Sequence, residues 1–229
     1  MDLKNFRFEI DADGIALLTW DMPDRSMNVI TLDVMAELGQ AVDAVVADDA
    51  IRGCVITSGK DAFSGGADLT MLEGFGAQFE QKARSDGFES AMQFFHDASR
   101  SLSQLYRKME TCGKPFAAAV NGVCLGGAFE MVLACHYRVV SDSEKTKVGL
   151  PEVKVGLFPG AGGTTRVSRL MQTGDALQML FKGEQIAAAK AKQMNLVHDV
   201  VPADEIVAKA KAWIAAGGKG VAPWDEKNF

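Results

Sequence analysis

The sequence predicts an α/β fold, and three observations support that class. Short apolar runs typical of buried strands alternate with longer segments in which apolar residues recur at helical spacing. The composition does not change abruptly before residue 217, and the chain has no internal repeat. Glycine-rich turn sequences separate several strands from the helices that follow them. We therefore expect one domain over residues 1–216, with right-handed crossovers, and a linker or tail over 217–229.

The first half of the chain begins with a predicted hairpin and a capped helix. FRFEI and IALLTW flank Asp-Ala-Asp-Gly, a sequence that favours a tight turn between strands. Thr31 precedes apolar residues at helical spacing and is the predicted N-cap. The elements expected in this half are strands at 6–10 and 15–20, a helix from residue 32, a buried strand at 53–58, a loop over 59–68 and a helix from about 86 to 111.

The second half continues the alternation of strands and helices. The elements expected there are a strand at 115–120, a turn at Asn121-Gly122, a short helix opened by Gly126-Gly127, a strand at 137–142, a loop through Pro151, a glycine cluster at 160–163, helical segments near 163–171 and 175–194, a strand at 198–201 and a helix at 203–216. The closing sequence APWDEKNF has no expected partner within the chain.

Composition and charge exclude several classes of protein. The chain has 24 Lys and Arg against 30 Asp and Glu, so a nucleic acid or a membrane surface is not an expected partner. An acidic total still permits a local basic patch around a phosphate-bearing small molecule. The N-terminus has no apolar signal segment, and no apolar run approaches the ~20 residues of a membrane span. We expect a cytoplasmic protein.

The four cysteines and three histidines do not form a metal-binding pattern. No C-x-x-C occurs, and the histidines are spread along the chain at positions 96, 136 and 198. We expect reduced, buried thiols and no metal site.

Two junctions share one design, in which a buried strand is followed by glycines and then by the start of a helix. They are CVITS…FSGGADLTML and FAAAVNGVCLGGAFEMVL. The first N–H groups of a helix have no partner within it, and glycine lets a ligand approach the backbone closely. Each junction alone is typical of a tight turn. The pair together suggests two N–H donors that converge on one carbonyl oxygen.

Two acids lie in apolar surroundings beside these loops. Glu130 follows Gly126-Gly127 on a helix whose next turn, Leu133-Ala134, faces inward. The alternative role for Glu130 is an acid stabilised by the helix dipole. Glu152 follows a proline between apolar residues, and its alternative role is a loop acid paired with Lys154. Together the two acids suggest a carboxylate pair that holds a water, with pKa values separated by their environments.

Other polar residues near these loops are better explained by structural roles. Ser64 is not in a G-x-S-x-G sequence, so we do not expect a nucleophile there. Asp68 is a predicted helix cap, and His136 is a predicted core or helix-end histidine. Arg166 and Arg169 follow GAGG, where one of them could meet a phosphate, but we expect both on a solvated face.

Four sequence stretches together resemble the crotonase (enoyl-CoA hydratase/isomerase) superfamily. They follow the family's order over roughly residues 6–216, and they are AFSGGADL, KPFAAAVNGVCLGGAFE, GLPEVKVGLFPGAGGTTR and EQIAAAKAKQMNLVHDVV. The resemblance implies a spiral of ββα units that binds acyl-coenzyme A thioesters. Coenzyme A would enter as part of the substrate, and no other cofactor is implied. Asn195 departs from the family pattern, which more often has glycine there.

The resemblance also implies roles for individual residues. The backbone N–H groups of Ala67 and Gly127 would form an oxyanion hole, and Glu130 and Glu152 would be catalytic. We assign Glu152 to proton donation at Cα and Glu130 to activation of the water, although the reverse assignment remains open. The positions expected to bind substrate are Met27, Ser64, Gly66, Asp68, Leu69, Gly126, Pro151 and Gly160.

The expected reaction is hydration of a trans-2-enoyl-CoA in fatty-acid β-oxidation. A Δ3,Δ2-enoyl-CoA isomerase needs only one well-placed base, so two acids favour the hydratase without excluding isomerisation. An RNA-binding member of the superfamily would need a basic helix face, and acids dilute the Lys and Arg residues of 80–110. A hydrolase or dehalogenase of this fold would need a different arrangement of acids.

One subgroup of the superfamily has a closer resemblance. Three features are similar to the amino-terminal hydratase part of multifunctional fatty-acid oxidation enzymes. They are the spacing of the two acids and the sequences MNVITLDVMAEL and APWDEKNF. In that subgroup a 3-hydroxyacyl-CoA dehydrogenase part follows. The helices that usually follow residue 216 in the family are not in this sequence. In the family those helices complete the acyl-CoA pocket and the trimer contacts, so the sequence does not fix the oligomeric state. The expected partners besides the acyl-CoA substrate are further copies of the chain in a homo-oligomer or, in a longer chain, a fused dehydrogenase part.

Overall fold

The chain has the predicted α/β architecture. A computed structural model describes residues 1–227, so the last two residues of the predicted tail lie outside the described residues. The strands are β1 (Phe6–Ile10), β2 (Ile15–Trp20), β3 (Gly53–Ser58), β4 (Phe116–Val120), β5 (Val123–Leu125), β6 (Tyr137–Ser141), β7 (Lys147–Gly149), β8 (Ile186–Ala187) and β9 (Asp199–Val201). The α-helices are α1 (Leu32–Ala47), α2 (Leu69–Ser85), α3 (Phe88–Thr111), α4 (Gly127–Ala134), α5 (Gly163–Leu170), α6 (Thr173–Lys182), α7 (Ala188–Gln193) and α8 (Ile206–Ala215). Short 3₁₀ helices cover Glu152–Val155 and Pro223–Asp225.

Two sheets organise these elements. The large sheet has the strand order β1-β2-β3-β4-β6-β9, in which β1 is antiparallel to β2 and the other pairs are parallel. The small sheet has the order β5-β7-β8. The chain passes from β4 to β5 and from β6 to β7, so each of these consecutive strand pairs contributes one strand to each sheet. An isolated bridge between Ser64 and Cys124 connects the small sheet to the loop after β3, and a second bridge joins Ala67 of the same loop to Ile30.

The central strands of the large sheet, β3, β4 and β6, are buried on both faces. On one face, Ile56 and Val140 pack in the main core against α1, α3 and α4. On the other face, Val55 and Val139 belong to a second cluster with residues of α8. Burial on both faces explains why these strands have continuous apolar sequences rather than alternating ones. Within residues 1–227, no helix is long and apolar enough to cross a membrane.

Several local predictions are confirmed. The hairpin of β1 and β2 pairs Phe6 with Trp20. Thr31 has extended backbone angles, and its hydroxyl accepts a hydrogen bond from the Val34 amide at 3.2 Å, as an N-cap does. Helix α4 begins at Gly127. All four cysteines are free thiols, and three of them are buried.

The start of α2 was predicted from the first glycine junction and the cap at Asp68, but its extent to Ser85 was not, because none of its residues is buried. The helix is joined to α3 by aromatic contacts, in which Phe75 packs on Phe94 and Phe79 packs on Phe95. A signal for it was present in the sequence. Asp68 caps the helix, and Met71, Phe75 and Phe79 follow at a spacing of four residues.

The prediction of one helical segment over 175–194 is wrong. Helix α6 ends at Lys182, strand β8 follows, and α7 covers Ala188–Gln193. The break occurs at Gly183, which has φ +58° and serves as the C-cap. A Cβ at Gly183 would lie 3.1 Å from Pro151 Cα, so the chain turns in contact with the segment that carries Glu152.

The expectation that the closing sequence has no partner is also wrong. Both carboxylate oxygens of Asp225 accept hydrogen bonds from Arg107, one of them at 2.7 Å. The Trp224 ring lies 5.7 Å from the Arg169 guanidinium. Residues of the expected tail therefore pack against α3 and α5.

Candidate functional site

The two glycine junctions lie side by side, although they are about 60 residues apart in sequence. The Ser64 amide donates to Val123 O at 3.0 Å, and the Leu125 amide donates to Ser64 O at 3.1 Å. Gly66 has φ +96°, and a Cβ there would lie 2.9 Å from Leu125 O. Glycine is therefore required at position 66 for two reasons, the backbone angle and the close approach of the second junction.

The amides of Ala67 and Gly127 are free at the end of these paired segments. Neither N–H makes a hydrogen bond within residues 1–227. Their neighbours are engaged, because the Gly66 amide donates to Ser64 Oγ and the Gly126 amide donates to Gly149 O. Gly127 is the first residue of α4, where an N–H has no partner within the helix. Two backbone donors are thus available at adjacent points of one loop pair.

Glu130 is almost completely buried, with 2% of its surface exposed. Its Oε1 accepts hydrogen bonds from the Ala161 amide at 2.8 Å and from the Gly163 amide at 2.7 Å. Gly163 begins α5, so Glu130 stabilises the N-terminus of a neighbouring helix as well as lying in the first turn of its own. A Cβ built on Gly127 would lie 3.9 Å from Oε2, the oxygen on the side of the free amide.

Burial raises the pKa of Glu130 from 4.5 to about 7. The charged form loses solvation, and the hydrogen bonds from Gly163 and Ala161 offset this only in part. The charge of Glu152 raises the pKa further. Glu130 can therefore change its protonation state near neutral pH, as a group that transfers protons must.

Glu152 is half-buried at the start of the 3₁₀ helix that follows Pro151. Its Oε2 is buried and has no hydrogen-bond partner within residues 1–227. A Cβ built on Gly126 would lie 3.3 Å from Glu152 Oε1. Glu152 therefore faces Gly126, and Glu130 faces the next residue, Gly127. Burial raises its pKa. No ion pair within the described residues involves Glu152, so the alternative pairing with Lys154 is wrong.

The side chains of Ser64 and Asp68 have structural contacts. Ser64 Oγ donates to Asn28 O at 2.9 Å and accepts from the Gly66 amide at 3.2 Å, which stabilises the first glycine loop. The Asp68 carboxylate accepts from the Thr70 amide at 2.9 Å and forms an ion pair with Arg25, so its prediction as a helix cap is confirmed.

Of the other positions expected to bind substrate, two lie beside the first glycine loop and two lie next to residues that bind or carry the acids. Met27 is partly exposed, and its Sδ is 2.9 Å from a Cβ built on Gly65. Leu69 is exposed at the start of α2. Gly160 is exposed and directly precedes Ala161, the residue whose amide binds Glu130. Pro151 directly precedes Glu152.

A buried ion pair behind Glu130 was missed in the sequence. Arg166 and Glu110 are 5% and 2% exposed, and the pair is bidentate, with distances of 2.7 and 2.9 Å. Arg166 Nη1 also donates to Ala161 O at 2.8 Å. The prediction of a solvated face for Arg166 is wrong. The available signal was Glu110, a charge that follows Tyr106 and Met109 on the inward face of α3.

His136 has the packed structural role expected for it. Its Nδ1 accepts from the Phe116 amide at 3.0 Å, and its Nε2 lies 3.1 Å from Glu110 O. Burial lowers its pKa. Tyr106 has a supporting contact in the site itself, because its buried hydroxyl donates to Gly127 O at 3.0 Å.

Comparison with known proteins gives consistent matches over nearly the whole chain. A family model described as Enoyl-CoA hydratase/isomerase matches residues 11–217. Proteins named fatty acid oxidation complex subunit alpha from Shewanella frigidimarina and Shewanella amazonensis are 39% and 40% identical over 220 residues. These matches cover 96% and 94% of this chain but 29% of each relative. The chain thus spans less than a third of the length of the curated relatives it matches.

Solved structures match at lower identity. An enoyl-CoA hydratase from Bacillus anthracis has a TM-score of 0.79 at 27% identity, over 93% of this chain and 76% of that one. A putative enoyl-CoA hydratase/isomerase (crotonase) from Legionella pneumophila has a TM-score of 0.77 at 25% identity, over 94% of this chain and 76% of that one.

Proposed function

The chain belongs to the enoyl-CoA hydratase/isomerase family, and from this premise we propose that it adds water across the 2,3-double bond of a trans-2-enoyl-CoA. The crotonase-like fold implied by the sequence resemblance is confirmed. One observation carries the proposal. Glu152 and Glu130 face adjacent glycines of one loop, and free backbone amides are available beside them.

The proposed reaction requires stabilisation of negative charge on the thioester oxygen. The amides of Ala67 and Gly127 are proposed to donate to that oxygen as it becomes an enolate. They belong to paired backbone segments, so their positions are fixed before substrate binds. Loss of one such donor typically reduces the rate by about 10²–10³. The hydroxyl of Tyr106 supports the geometry through Gly127 O.

The two acids are proposed to act on one water molecule between them. Glu130 would take a proton from the water that attacks Cβ, and Glu152 would donate a proton to Cα. The buried Oε2 of Glu152, which has no partner within residues 1–227, supports its role as the group that acts at Cα, because that oxygen is available to the substrate. The fixed Oε1 of Glu130 leaves Oε2 to receive the proton from water. No resident cofactor is needed, since coenzyme A enters with the substrate.

Isomerisation of a 3-enoyl-CoA is a second candidate activity of the same site. It needs one base that moves a proton between two carbons of the substrate. Glu152 can meet that requirement without Glu130, because its Oε2 is buried and without a partner within residues 1–227. The names of the longer relatives further support a proposal that this chain acts in fatty-acid β-oxidation. We also propose that it does so beside a dehydrogenase part of the same protein.

The proposal is tested by the loss of crotonyl-CoA absorbance with the wild type, Glu130→Gln and Glu152→Gln. Each substitution keeps the size of the side chain and removes its acid–base function, so we expect a decrease in kcat of about 10²–10⁴. Glu144→Gln, at an exposed turn, is the matched control and should leave kcat unchanged.

Full activity of either variant in the crotonyl-CoA assay would refute the paired-carboxylate mechanism. A long-chain 3-enoyl-CoA, followed by formation of the 2-enoyl product, tests the second activity. Isomerisation that survives in Glu130→Gln but not in Glu152→Gln would assign that activity to Glu152 alone.

A further inference from the structure

A cavity lies at the C-terminal end of α4, and neither Glu130 nor Glu152 lines it. Its volume is about 380 Å³, and it is lined by residues of β6, the segment 192–198 and the closing residues Ala222–Trp224. The lining includes Arg138, Lys192, Asn195 and His198 but no Asp or Glu. This is unusual in a chain with 30 acids and 24 Lys and Arg.

Arg138 is a buried cation without an acidic partner. It is 4% exposed, and it makes hydrogen bonds only to carbonyl oxygens, from Nε to Leu196 O and from Nη1 to Cys135 O, both at 2.7 Å. No carboxylate within residues 1–227 lies within 4 Å of its guanidinium nitrogens. The acid that interacts with it electrostatically is Glu110, which already binds Arg166 and Arg107. A buried guanidinium without a counter-charge is unfavourable and favours an anion at its side.

His198 contributes a second donor to the same cavity. Its Nδ1 accepts from the Arg138 amide at 3.1 Å, and a backbone N–H can only donate, so the proton of the neutral ring is on Nε2. Burial, and then the charge of Arg138, lower the pKa of His198 to about 4, which makes the neutral ring the form present at pH 7. Its Nε2 makes no hydrogen bond to any described residue.

The remaining walls fit a ligand larger than a simple ion. Lys192 binds Asp199 at 2.9 Å and is half-exposed, so it lies at the rim of the cavity. Asn195 has φ +60° and presents a side-chain amide. Leu170, Val197, Pro223 and Trp224 supply apolar surface. The cavity thus combines cationic and N–H donor groups with an apolar wall, a combination that suits a ligand with an oxyanion at one end.

We infer that the cavity bounded by Arg138, His198, Asn195 and Trp224 binds the phosphate group of a small molecule. Arg138 and His198 donate to the phosphate oxygens, and the ligand supplies the counter-charge that the chain does not provide. The site is separate from the proposed hydration site, so its occupancy can be measured without the enzyme assay.

The test compares the wild type with Asn195→Asp and Asn195→Gly. Aspartate has nearly the volume of asparagine and tolerates a positive φ, so Asn195→Asp changes mainly the charge of the wall. Asn195→Gly keeps the backbone angle and removes the side chain. Binding of inorganic phosphate and of AMP is measured by calorimetry, and the thermal midpoint is measured in phosphate and in sodium chloride of equal ionic strength.

We expect the wild type to bind at least one of the two probes and to melt at a higher temperature in its presence. In Asn195→Asp the new carboxylate provides the counter-charge itself. We therefore expect the affinity for the probe to be at least about tenfold lower than in the wild type. We also expect the thermal midpoint of the variant in chloride to be above that of the wild type. Asn195→Gly should retain most of the affinity. Binding of AMP without binding of phosphate would identify a nucleotide as the source of the phosphate group.

Two outcomes would overturn the inference. One is the absence of calorimetric binding and thermal stabilisation by both probes in the wild type. The other is equal binding by the wild type and Asn195→Asp, which would place the ligand elsewhere on the chain. Neither outcome would affect the proposed hydration, which is measured with crotonyl-CoA.

Discussion

Glu130 and Glu152 face adjacent glycines of one loop, but the protein positions them differently. Glu130 is buried, and one of its oxygens accepts two backbone hydrogen bonds from the start of α5. Glu152 begins a short 3₁₀ helix, and its buried Oε2 has no partner within residues 1–227. The orientation of Glu130 is therefore fixed by the fold, whereas Glu152 keeps an oxygen available for an external partner.

The fixed orientation of Glu130 depends on residues that do not touch it. Ala161 joins two interactions, since its amide donates to Glu130 and its carbonyl accepts from Arg166. Arg166 is in turn bound by Glu110 through two hydrogen bonds. Arg166 and Glu110 are thus positioning residues for Glu130, and no comparable ion pair supports Glu152 among the described residues.

The largest expected effect comes from removing Glu110 on the Glu130 side. Glu110→Gln leaves the buried Arg166 without its counter-charge, so we expect the free energy of unfolding to fall by about 3–5 kcal/mol. Because the loop at Ala161 then loses its anchor, kcat for hydration should fall by about 10²-fold with little change in KM. Urea unfolding and steady-state kinetics measure the two quantities.

A double variant separates stability from positioning. Glu110→Leu with Arg166→Met replaces the ion pair by apolar side chains, and we expect it to recover stability to within about 1 kcal/mol of the wild type. Methionine cannot donate to Ala161 O, so kcat should remain low. The control on the Glu152 side is Lys154→Gln, an exposed substitution expected to change stability by less than about 0.5 kcal/mol. Full activity of the double variant would show that Arg166 does not position Glu130.

The contrast between the two acids also shows what could be predicted from the sequence. Glu130 was identified because a charge in an apolar run, directly after two glycines, is a local anomaly. The cap at Thr31 and the start of α4 were predicted for the same reason, since their signals lie within a few residues. The partners of Glu130 are more than 30 residues away, and no local pattern specifies that Ala161 and Gly163 donate to it.

The errors have the same physical origin. Arg166 was assigned to a solvated face because its partner, Glu110, is 56 residues away. The extent of α2 was missed because the helix has no buried residue, and its Phe75 and Phe79 pack on α3 rather than in the core. Gly183 ends a helix that the flanking sequence would continue, at a point where the chain turns beside Pro151 and leaves no room for a side chain. Tertiary contacts decide all three cases.

The next prediction concerns pH, because the buried acid should make stability fall between mildly acidic and neutral conditions. The pKa of Glu130 is about 7 in the folded chain and 4.5 when exposed. A raised pKa contributes stability that is fully present below pH 4.5 and is lost as the pH rises through 7, since the folded state then has to bury a carboxylate. The pKa difference corresponds to about 3 kcal/mol.

Glu130→Gln removes this pH dependence. Between pH 5 and pH 8 we expect the free energy of unfolding, measured in urea, to fall less in the variant than in the wild type. The difference between the two decreases should be most of the about 3 kcal/mol given by the pKa difference. Glu152→Gln should also reduce the pH dependence of the free energy of unfolding, but by less, because Glu152 is only half-buried. Parallel curves for the wild type and Glu130→Gln would contradict the raised pKa.

The smallest effect is expected at the outer end of the ion-pair network. Arg107 joins Asp225 to Glu110, but both ends of the Arg107–Asp225 pair are partly exposed. Asp225→Asn should therefore lower the free energy of unfolding by no more than about 1 kcal/mol and leave kcat within about twofold. Glu226→Gln, which removes an exposed partner of Lys219, is the matched control. Urea unfolding measures the free energy, and the crotonyl-CoA assay measures kcat, for Asp225→Asn and for the control.

The outcome at Asp225 also tests where the positioning of Glu130 begins. Because Arg166 retains both of its hydrogen bonds to Glu110 in Asp225→Asn, a tenfold loss of kcat would show that the positioning of Glu130 begins at Asp225 rather than at Glu110.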